Sequence, residues 1–338
     1  MRTVPHPPAP TGTIRSAIPL RLDHGTVIDV NVGFELAGED SAPVIIVLGG
    51  ISARRHVAAH AHDRRPGWWD AIVGAGLPVD TRQSRVLSID WLGGAGTSSG
   101  PPVFRFAGGR RIPVTTHDQA RAVTAALDHL GIDRAAVVIG ASYGGMVALA
   151  LAAMDTVRVE RVIAIAAAER SHPMATALRT LQRRIVRLGL ETGAATEAVS
   201  IARGIALTTY RTADEFATRF GAGPVAGTFP ARFEVEDYLE HCGSQFAQVF
   251  PPDAFLCLSE SLDLHAVDPA SVTVPTTLIA FDSDTLVPAA QLRALHRQLP
   301  VPDGLVEITS MYGHDAFLKE TTAMTATLTR ILTRGGVV

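Results

Sequence analysis

Three residues far apart in the chain have the types that nucleophilic catalysis needs: Ser142 in VVIGASYGGM, Asp284 in AFDSDTLVP and His314 in MYGHDAF. A serine hydroxyl becomes a useful nucleophile when a histidine takes its proton, and a carboxylate holds that imidazole in the right tautomer. Serine, then acid, then histidine is one of the chain orders in which this arrangement recurs. The pentapeptide G-A-S-Y-G also arises by accident in a glycine- and alanine-rich chain, where the serine is only a packing residue at a turn. Here an apolar run precedes Ser142 and GGMVALALAAM follows it, which reads as strand, sharp turn and helix. Small neighbours permit the strained turn that exposes a serine at its tip, and the helix N-terminus offers an amide to a developing oxyanion.

The acid has two candidates, Asp282 and Asp284. Asp284 is favoured, because TLVP after it leaves the strand tip and starts a new helix, whereas Asp282 reads as a solvated or capping residue. A lone loop histidine is ordinarily a surface residue, but His314 directly follows the last predicted strand on a glycine-bearing loop. An oxyanion hole needs a second amide from the loop after an earlier strand, and VLGGIS supplies it. The two donors are expected to be the main-chain N–H groups of Ile51 and Tyr143.

The elements that would position these residues are short apolar runs at 43–50, 85–90, 135–142, 161–168, 276–284 and 305–310. Continuous apolar strands of this kind mark a parallel sheet covered on both faces by helices. Between them, THDQARAVTAALDHLGI (116–132) places Ala120, Val123, Leu127 and Leu130 at helical spacing and stops at Gly131. The alternation predicts a doubly wound α/β fold with a mostly parallel sheet. Residues 13–168 and 275–338 form its core, opened by an antiparallel hairpin before residue 43. Residues 169–274 read as several helices, an insertion placed like a cap over an active site. Residues 1–12, rich in proline and without periodicity, read as a loose arm.

Composition excludes several classes. The 30 basic residues nearly balance the 33 acidic ones with no long run of one sign, so neither nucleic acid nor a membrane surface is called for as a partner. The N-terminal MRTVPHPPAP lacks an apolar stretch and is no signal peptide. Cys242 and Cys257 have no metal-like spacing, which fits a reduced, cytoplasmic protein and calls for no metal.

Beyond these residues the chain resembles the α/β-hydrolase superfamily, and within it the homoserine O-acyltransferases of methionine biosynthesis. The resemblance rests on GWWDAIVGAGLPVDT (67–81), LGGAGTSSGP (92–101), GASYGGMVALA, LQRRI, ARGIALTTYRTADEFATRF and GHDAFL. It spans about residues 43 to 320. Three stretches depart from the family pattern: Ala95 stands where cysteine is usual, GGISARRHV carries two arginines, and IDWLGG replaces an asparagine-containing strand end. The resemblance implies that Arg203, Tyr210 and Asp315 bind the amino acid, with Arg203 on the α-carboxylate, Asp315 on the α-ammonium and Tyr210 as a hydrogen-bond donor. It also implies acyl-CoA as co-substrate, no bound cofactor, small-molecule partners only, and a homodimer through the cap. Acyl transfer by a ping-pong route follows, with homoserine as acceptor in preference to serine. The rivals are a carboxylesterase using water and a non-catalytic binding protein of the same fold. Succinyl is favoured over acetyl as the acyl group, because Arg54 and Arg55 are expected to wall the acyl side of the serine, where a terminal carboxylate would need a cation.

Overall fold

The apolar runs assemble into one eight-stranded sheet in the order β1-β2-β6-β3-β7-β8-β9-β10. These strands belong to a computed structural model that describes residues 11–106, 109–154 and 156–336. An antiparallel hairpin, β1 (Thr11–Arg21) and β2 (Val27–Gly38), forms one edge. β2 runs antiparallel to β6 (Arg85–Ile89). From β6 the sheet is parallel through β3 (Val44–Leu48), β7 (Val137–Ala141), β8 (Val162–Ile165), β9 (Thr276–Phe281) and β10 (Pro302–Ile308). A separate two-stranded piece pairs β4 (Val73–Gly74) with β5 (Val79–Asp80). Every residue of β3, β7, β8 and β9 is buried, as uninterrupted apolar strands between two helical layers must be.

The expected strands lie at their expected places, with one shift: β10 begins at Pro302, before the apolar run at 305–310, and ends at Ile308. Its partly exposed pattern on the sheet edge explains why an apolar run alone missed its start. The expected arm at 1–12 is shorter at its inner end, because Thr11 and Gly12 already pair in β1; residues 1–10 lie outside the described residues.

Helices α1 (Thr116–His129) and α2 (Tyr143–Ala152) flank the sheet. Thr115 caps α1 in a reciprocal capping box with Asp118, and the chain turns away at Gly131 with φ 65°. Between β8 and β9 the chain runs through α3 (Pro173–Thr192), α4 (Ala195–Tyr210), α5 (Ala213–Arg219), α6 (Glu234–Val249) and α7 (Pro252–Asp263). The last of these has a buried apolar face that the sequence reading passed over. α8 (Ala289–Gln298) follows β9, and α9 (Ala316–Lys319) and α10 (Thr321–Arg334) close the chain. Among the described residues no helix is long and apolar enough to cross a membrane.

Candidate active site

Ser142 joins β7 to α2 in a backbone conformation that only a forced turn explains, φ 54° and ψ −119°. The crowding around it shows why its neighbours are glycines. A Cβ on Gly140 would lie 2.2 Å from the Gly144 carbonyl oxygen, and one on Gly144 would lie 2.2 Å from that of Leu48. The Gly144 N–H instead donates to the Gly49 carbonyl at 2.9 Å, which locks the loop after β3 against the start of α2.

The hydroxyl of Ser142 lies 2.7 Å from His314 Nε2, and His314 Nδ1 lies 2.7 Å from Asp284 Oδ2. The other oxygen of Asp284 accepts the N–H groups of Leu286 and Val287 at 2.8 and 3.0 Å. With both oxygens occupied, the carboxylate has one orientation, and it fixes the imidazole tautomer that presents a bare Nε2 to the serine. Asp282 is exposed and holds the Ser310 N–H at 3.0 Å, away from this chain of bonds.

His314 is buried, which opposes its charge, yet the Asp284 carboxylate and its hydrogen bond outweigh burial and hold the imidazole pKa above its ordinary value. His265 shows the contrary case. It is also buried, bonded to the Thr116 hydroxyl and the Ala168 carbonyl, but among the described residues no carboxylate pairs with it, and burial pushes its pKa down to about 3. The difference between a structural and a chemically poised histidine here is one carboxylate.

Tyr143 sits at the first turn of α2, where amides have no intrahelical acceptor. Its side chain is wholly buried, with the hydroxyl 2.6 Å from Ser261 Oγ. Ile51 lines the same pocket as Ser142. Trp91 Nε1 donates to the Gly50 carbonyl at 3.0 Å and the indole packs edge-on against Tyr143. A trans peptide points its N–H opposite to its carbonyl, so this bond sets the direction of the Ile51 N–H. The adjacent tryptophans of the GWW stretch brace the same loops: Trp68 donates to the Arg54 carbonyl and Trp69 to that of Phe317, in α9.

The pocket over Ser142 is closed by α3, α4 and α7 and lined by Arg179, Gln182, Arg203, Tyr210, His314 and Asp315 among others. Arg203 and Tyr210 share a face of α4, with the guanidinium 5.4 Å from the Tyr210 ring and 4.8 Å from that of Phe246. Among the described residues Arg203 has no carboxylate partner. Tyr210 packs beside the His314 ring, and Asp315 lies 3.4 Å from Arg211 Nε, half-buried at the pocket wall. The structure thus brings Ser142, Asp284, His314, Ile51, Tyr143, Arg203, Tyr210 and Asp315 to one place.

Arg54 and Arg55 correct the sequence reading. Neither lines the pocket. Arg54 is exposed and reaches the Val249 carbonyl at 3.2 Å, while Arg55 is ion-paired with Asp90 at 2.6 Å and also bonds Thr97. The buried Asp90 carboxylate needs a cation, and the backbone N–H groups of Arg55 and Thr97 complete its shell. Two departures from the family pattern, the second arginine of GGISARRHV and the aspartate of IDWLGG, are therefore two halves of one ion pair.

Besides Arg203, a second cation lines the pocket, Arg179, which was not singled out from the sequence. Its Nε donates to Asp263 Oδ1 at 2.8 Å, and Arg183 bonds the other oxygen of Asp263 at 2.5 Å. Two guanidiniums share one carboxylate, which leaves one positive charge uncompensated beside the pocket among the described residues. The signal in RTLQRRIVR was the spacing of Arg179, Arg183 and Arg187, one face of a helix, which solvated arginines produce equally well.

A profile of the α/β-hydrolase fold matches residues 43–321. The homoserine O-succinyltransferase of Xanthomonas campestris pv. campestris is 41% identical over 330 residues, covering 98% of this chain and 86% of its own. The homoserine O-acetyltransferase of Geobacter metallireducens is 34% identical, covering 89% of this chain and 90% of its own. The crystal structure of esterase E22 superposes with a TM-score of 0.83 over 95% of this chain and 99% of its own; at 22% identity it carries the fold alone.

Proposed function

This chain belongs to the homoserine O-acyltransferases of the α/β-hydrolase fold, and from that premise we propose that it transfers a succinyl group from coenzyme A to the side-chain hydroxyl of L-homoserine, in methionine biosynthesis. The observation that carries the reading is the bonded series Ser142–His314–Asp284 opening into a pocket with three further charges, Arg179, Arg203 and Asp315.

In the first half-reaction Ser142 Oγ attacks the thioester carbonyl as its proton passes to His314 Nε2. The Ile51 and Tyr143 amides stabilise the tetrahedral oxyanion. The carbon–sulfur bond breaks, His314 returns the proton to the departing thiolate, and an acyl-serine remains. In the second half-reaction the homoserine hydroxyl gives its proton to His314 and attacks the acyl carbon. The Ser142–acyl bond breaks, and the O-acyl ester leaves as Ser142 regains its proton. Arg203 holds the α-carboxylate of homoserine and Asp315 its α-ammonium, a division that a free amino acid needs and water does not.

The donor follows from the remaining charge. A succinyl chain carries a terminal carboxylate into a confined site, where it needs a cation. Arg179, half-neutralised by Asp263, is placed to receive it; its field already reaches His314, where it opposes the imidazolium. An acetyl group would leave that charge without a role. Both cysteines are free thiols, which suits a cytoplasmic enzyme. Exposed Leu181, Leu188 and Leu190 on α3 and Ile201 on α4 support a homodimer through the inserted helices.

The test is thiol release from succinyl-CoA and acetyl-CoA with and without L-homoserine, in wild type and in Arg179→Gln. Wild type should prefer succinyl-CoA and require homoserine, and Arg179→Gln should lower the succinyl-to-acetyl ratio of kcat/KM about 30-fold or more, the scale of truncating one side of a buried charge pair. Preference for acetyl-CoA in the wild type would overturn the donor assignment, and release that ignores homoserine would make the protein a hydrolase.

A further inference from the structure

On the far side of the Arg55–Asp90 pair the same loop carries HVAAHAHD, residues 56–63, and turns two imidazoles onto a buried carboxylate of β2. His56 Nδ1 lies 2.9 Å and His60 Nε2 lies 3.2 Å from Glu35 Oε1. One ligand atom from each of the three residues falls within 4.8 Å of the others, a separation that a single small cation spans. The Glu35 side chain is 7% exposed, and among the described residues no lysine or arginine pairs with it.

Three details distinguish this cluster from an ordinary histidine–carboxylate contact. First, both ring nitrogens of His56 face acceptors: Nδ1 faces Glu35 and Nε2 lies 2.8 Å from the Arg65 carbonyl. A neutral imidazole has one N–H and satisfies only one of them; either a second proton or a metal must sit at Nδ1. The bond from Nε2–H to a backbone carbonyl is the outer contact that typically orients a metal-ligating imidazole. Second, His60 Nε2 is buried with no hydrogen-bond partner, since its 3.2 Å approach to Glu35 lacks hydrogen-bond geometry, and the side chain is only 10% exposed. Third, the loop is folded to hold this arrangement: the His60 N–H donates to the Asp63 carbonyl at 2.8 Å and the Asp63 N–H returns to His60 at 3.2 Å. Asp63 Oδ2 itself lies 3.9 Å from His56 Nδ1, near a fourth position.

We infer that Glu35, His56 and His60 form a binding site for a divalent ion of the zinc type, through one carboxylate oxygen, His56 Nδ1 and His60 Nε2. Imidazole nitrogen with one carboxylate suits zinc, whereas calcium and magnesium prefer oxygen alone. On binding, the proton at His56 Nδ1 is released to solvent. The His60 proton moves from Nε2 to Nδ1, and the long 3.3 Å contact from the His62 N–H to that nitrogen is given up. Water completes the shell, since both oxygens of Asp63 are held by the Arg65 guanidinium. The ion would pin to β2 the loop that begins at Ile51, so its role is to brace the oxyanion loop from behind; Ser142 and its partners lie elsewhere.

The experiment uses tag-free full-length protein stripped with a chelator and titrated with Co²⁺, read by visible absorption, and with Zn²⁺, read by calorimetry. Wild type should bind one equivalent of each, with cobalt bands of the intensity that four- or five-coordination gives and a melting temperature that rises with zinc and falls with chelator. Glu35→Gln and His60→Ala should each weaken binding at least 100-fold, while His62→Ala, an exposed neighbour, should change it less than threefold. Absence of saturable binding and of cobalt bands in the wild type overturns the site. Equal binding by wild type and His60→Ala also overturns it. The wild-type cobalt spectrum decides the matter even if a variant fails to fold.

Discussion

Ser142, Asp284 and His314 stand beyond the C-terminal ends of β7, β9 and β10, whereas Arg179 and Arg203 stand on α3 and α4, in the stretch inserted between β8 and β9. The strands behind Ser142 and Asp284 are buried at every residue, and the turn at Ser142 is fixed by backbone contacts that tolerate no Cβ at Gly140 or Gly144. α3 is a different kind of support. Only Ala175, Gln182, Arg183, Val186 and Gly189 of its residues are buried, and Arg179 takes its place from a shared carboxylate on α7. The proposed chemistry thus rests on the sheet, and the proposed selectivity on helices held by side-chain contacts. Strand-end residues should therefore govern whether the reaction proceeds, and helix residues which molecules it accepts.

The largest expected effect tests the first half of that division. Ser142→Ala should lower acyl transfer by roughly four to six orders of magnitude and abolish the covalent acyl adduct seen by mass spectrometry, with the melting temperature little changed. Near wild-type turnover would place the chemistry elsewhere.

Next comes the paired aspartates. Asp284→Asn should cost about 10⁴ in kcat, because the imidazole loses the acceptor that sets its tautomer. Asp282→Asn, which alters only a part-buried contact to the Ser310 N–H outside the bonded series, should stay within a few-fold. Reversed effects would reassign the acid.

Smaller and more selective is Arg203→Ala. Loss of one side of a charged, hydrogen-bonded contact costs about 2–5 kcal/mol, so kcat/KM for homoserine should fall by at least ~30-fold. Formation of the acyl-enzyme from acyl-CoA alone, followed by burst thiol release, should persist. Equal damage to both half-reactions would break the contrast between sheet and helices.

The smallest effect is the pH dependence of the first half-reaction. His314 must be neutral to accept the serine proton, and Asp284 raises its pKa against the opposing effect of burial. The rate should therefore fall as pH drops through that raised value, with the midpoint above the ordinary imidazole range. A midpoint below 6.5, the ordinary histidine value, would mean that burial wins at His314 as it does at His265.

The elbow was legible in the sequence because its cause is local. GASYGG after an apolar run and before a run of small residues has few other folds, and the steric conflict between Gly140 and Gly144 is the local reason. Asp284 and His314 were legible because each stands on the loop after an apolar run, close beyond β9 and β10, and the choice of Asp284 over Asp282 agreed with the direction in which the chain leaves β9. Helix α7 was not legible, since its buried face, from Ala254 to Leu262, packs on elements distant in sequence. Arg54 and Arg55 were assigned by their nearness in sequence to Ile51. A side chain that long goes where its charge is best met, and for Arg55 that is Asp90, thirty-five residues away.

By itself, then, the sequence determined the alternation of strands and helices, the elbow at Ser142 and the order of its partners, because periodicity and small residues act over a few positions. The tertiary structure alone decided that Arg179 faces the pocket and that Arg54 and Arg55 do not. Arg179, Arg183 and Asp263 meet only when α3 and α7 pack together, and Arg55 turns from the pocket to the buried carboxylate that follows β6. Burying a charge is costly enough that its partner, wherever the fold places it, overrides any preference written nearby in the chain.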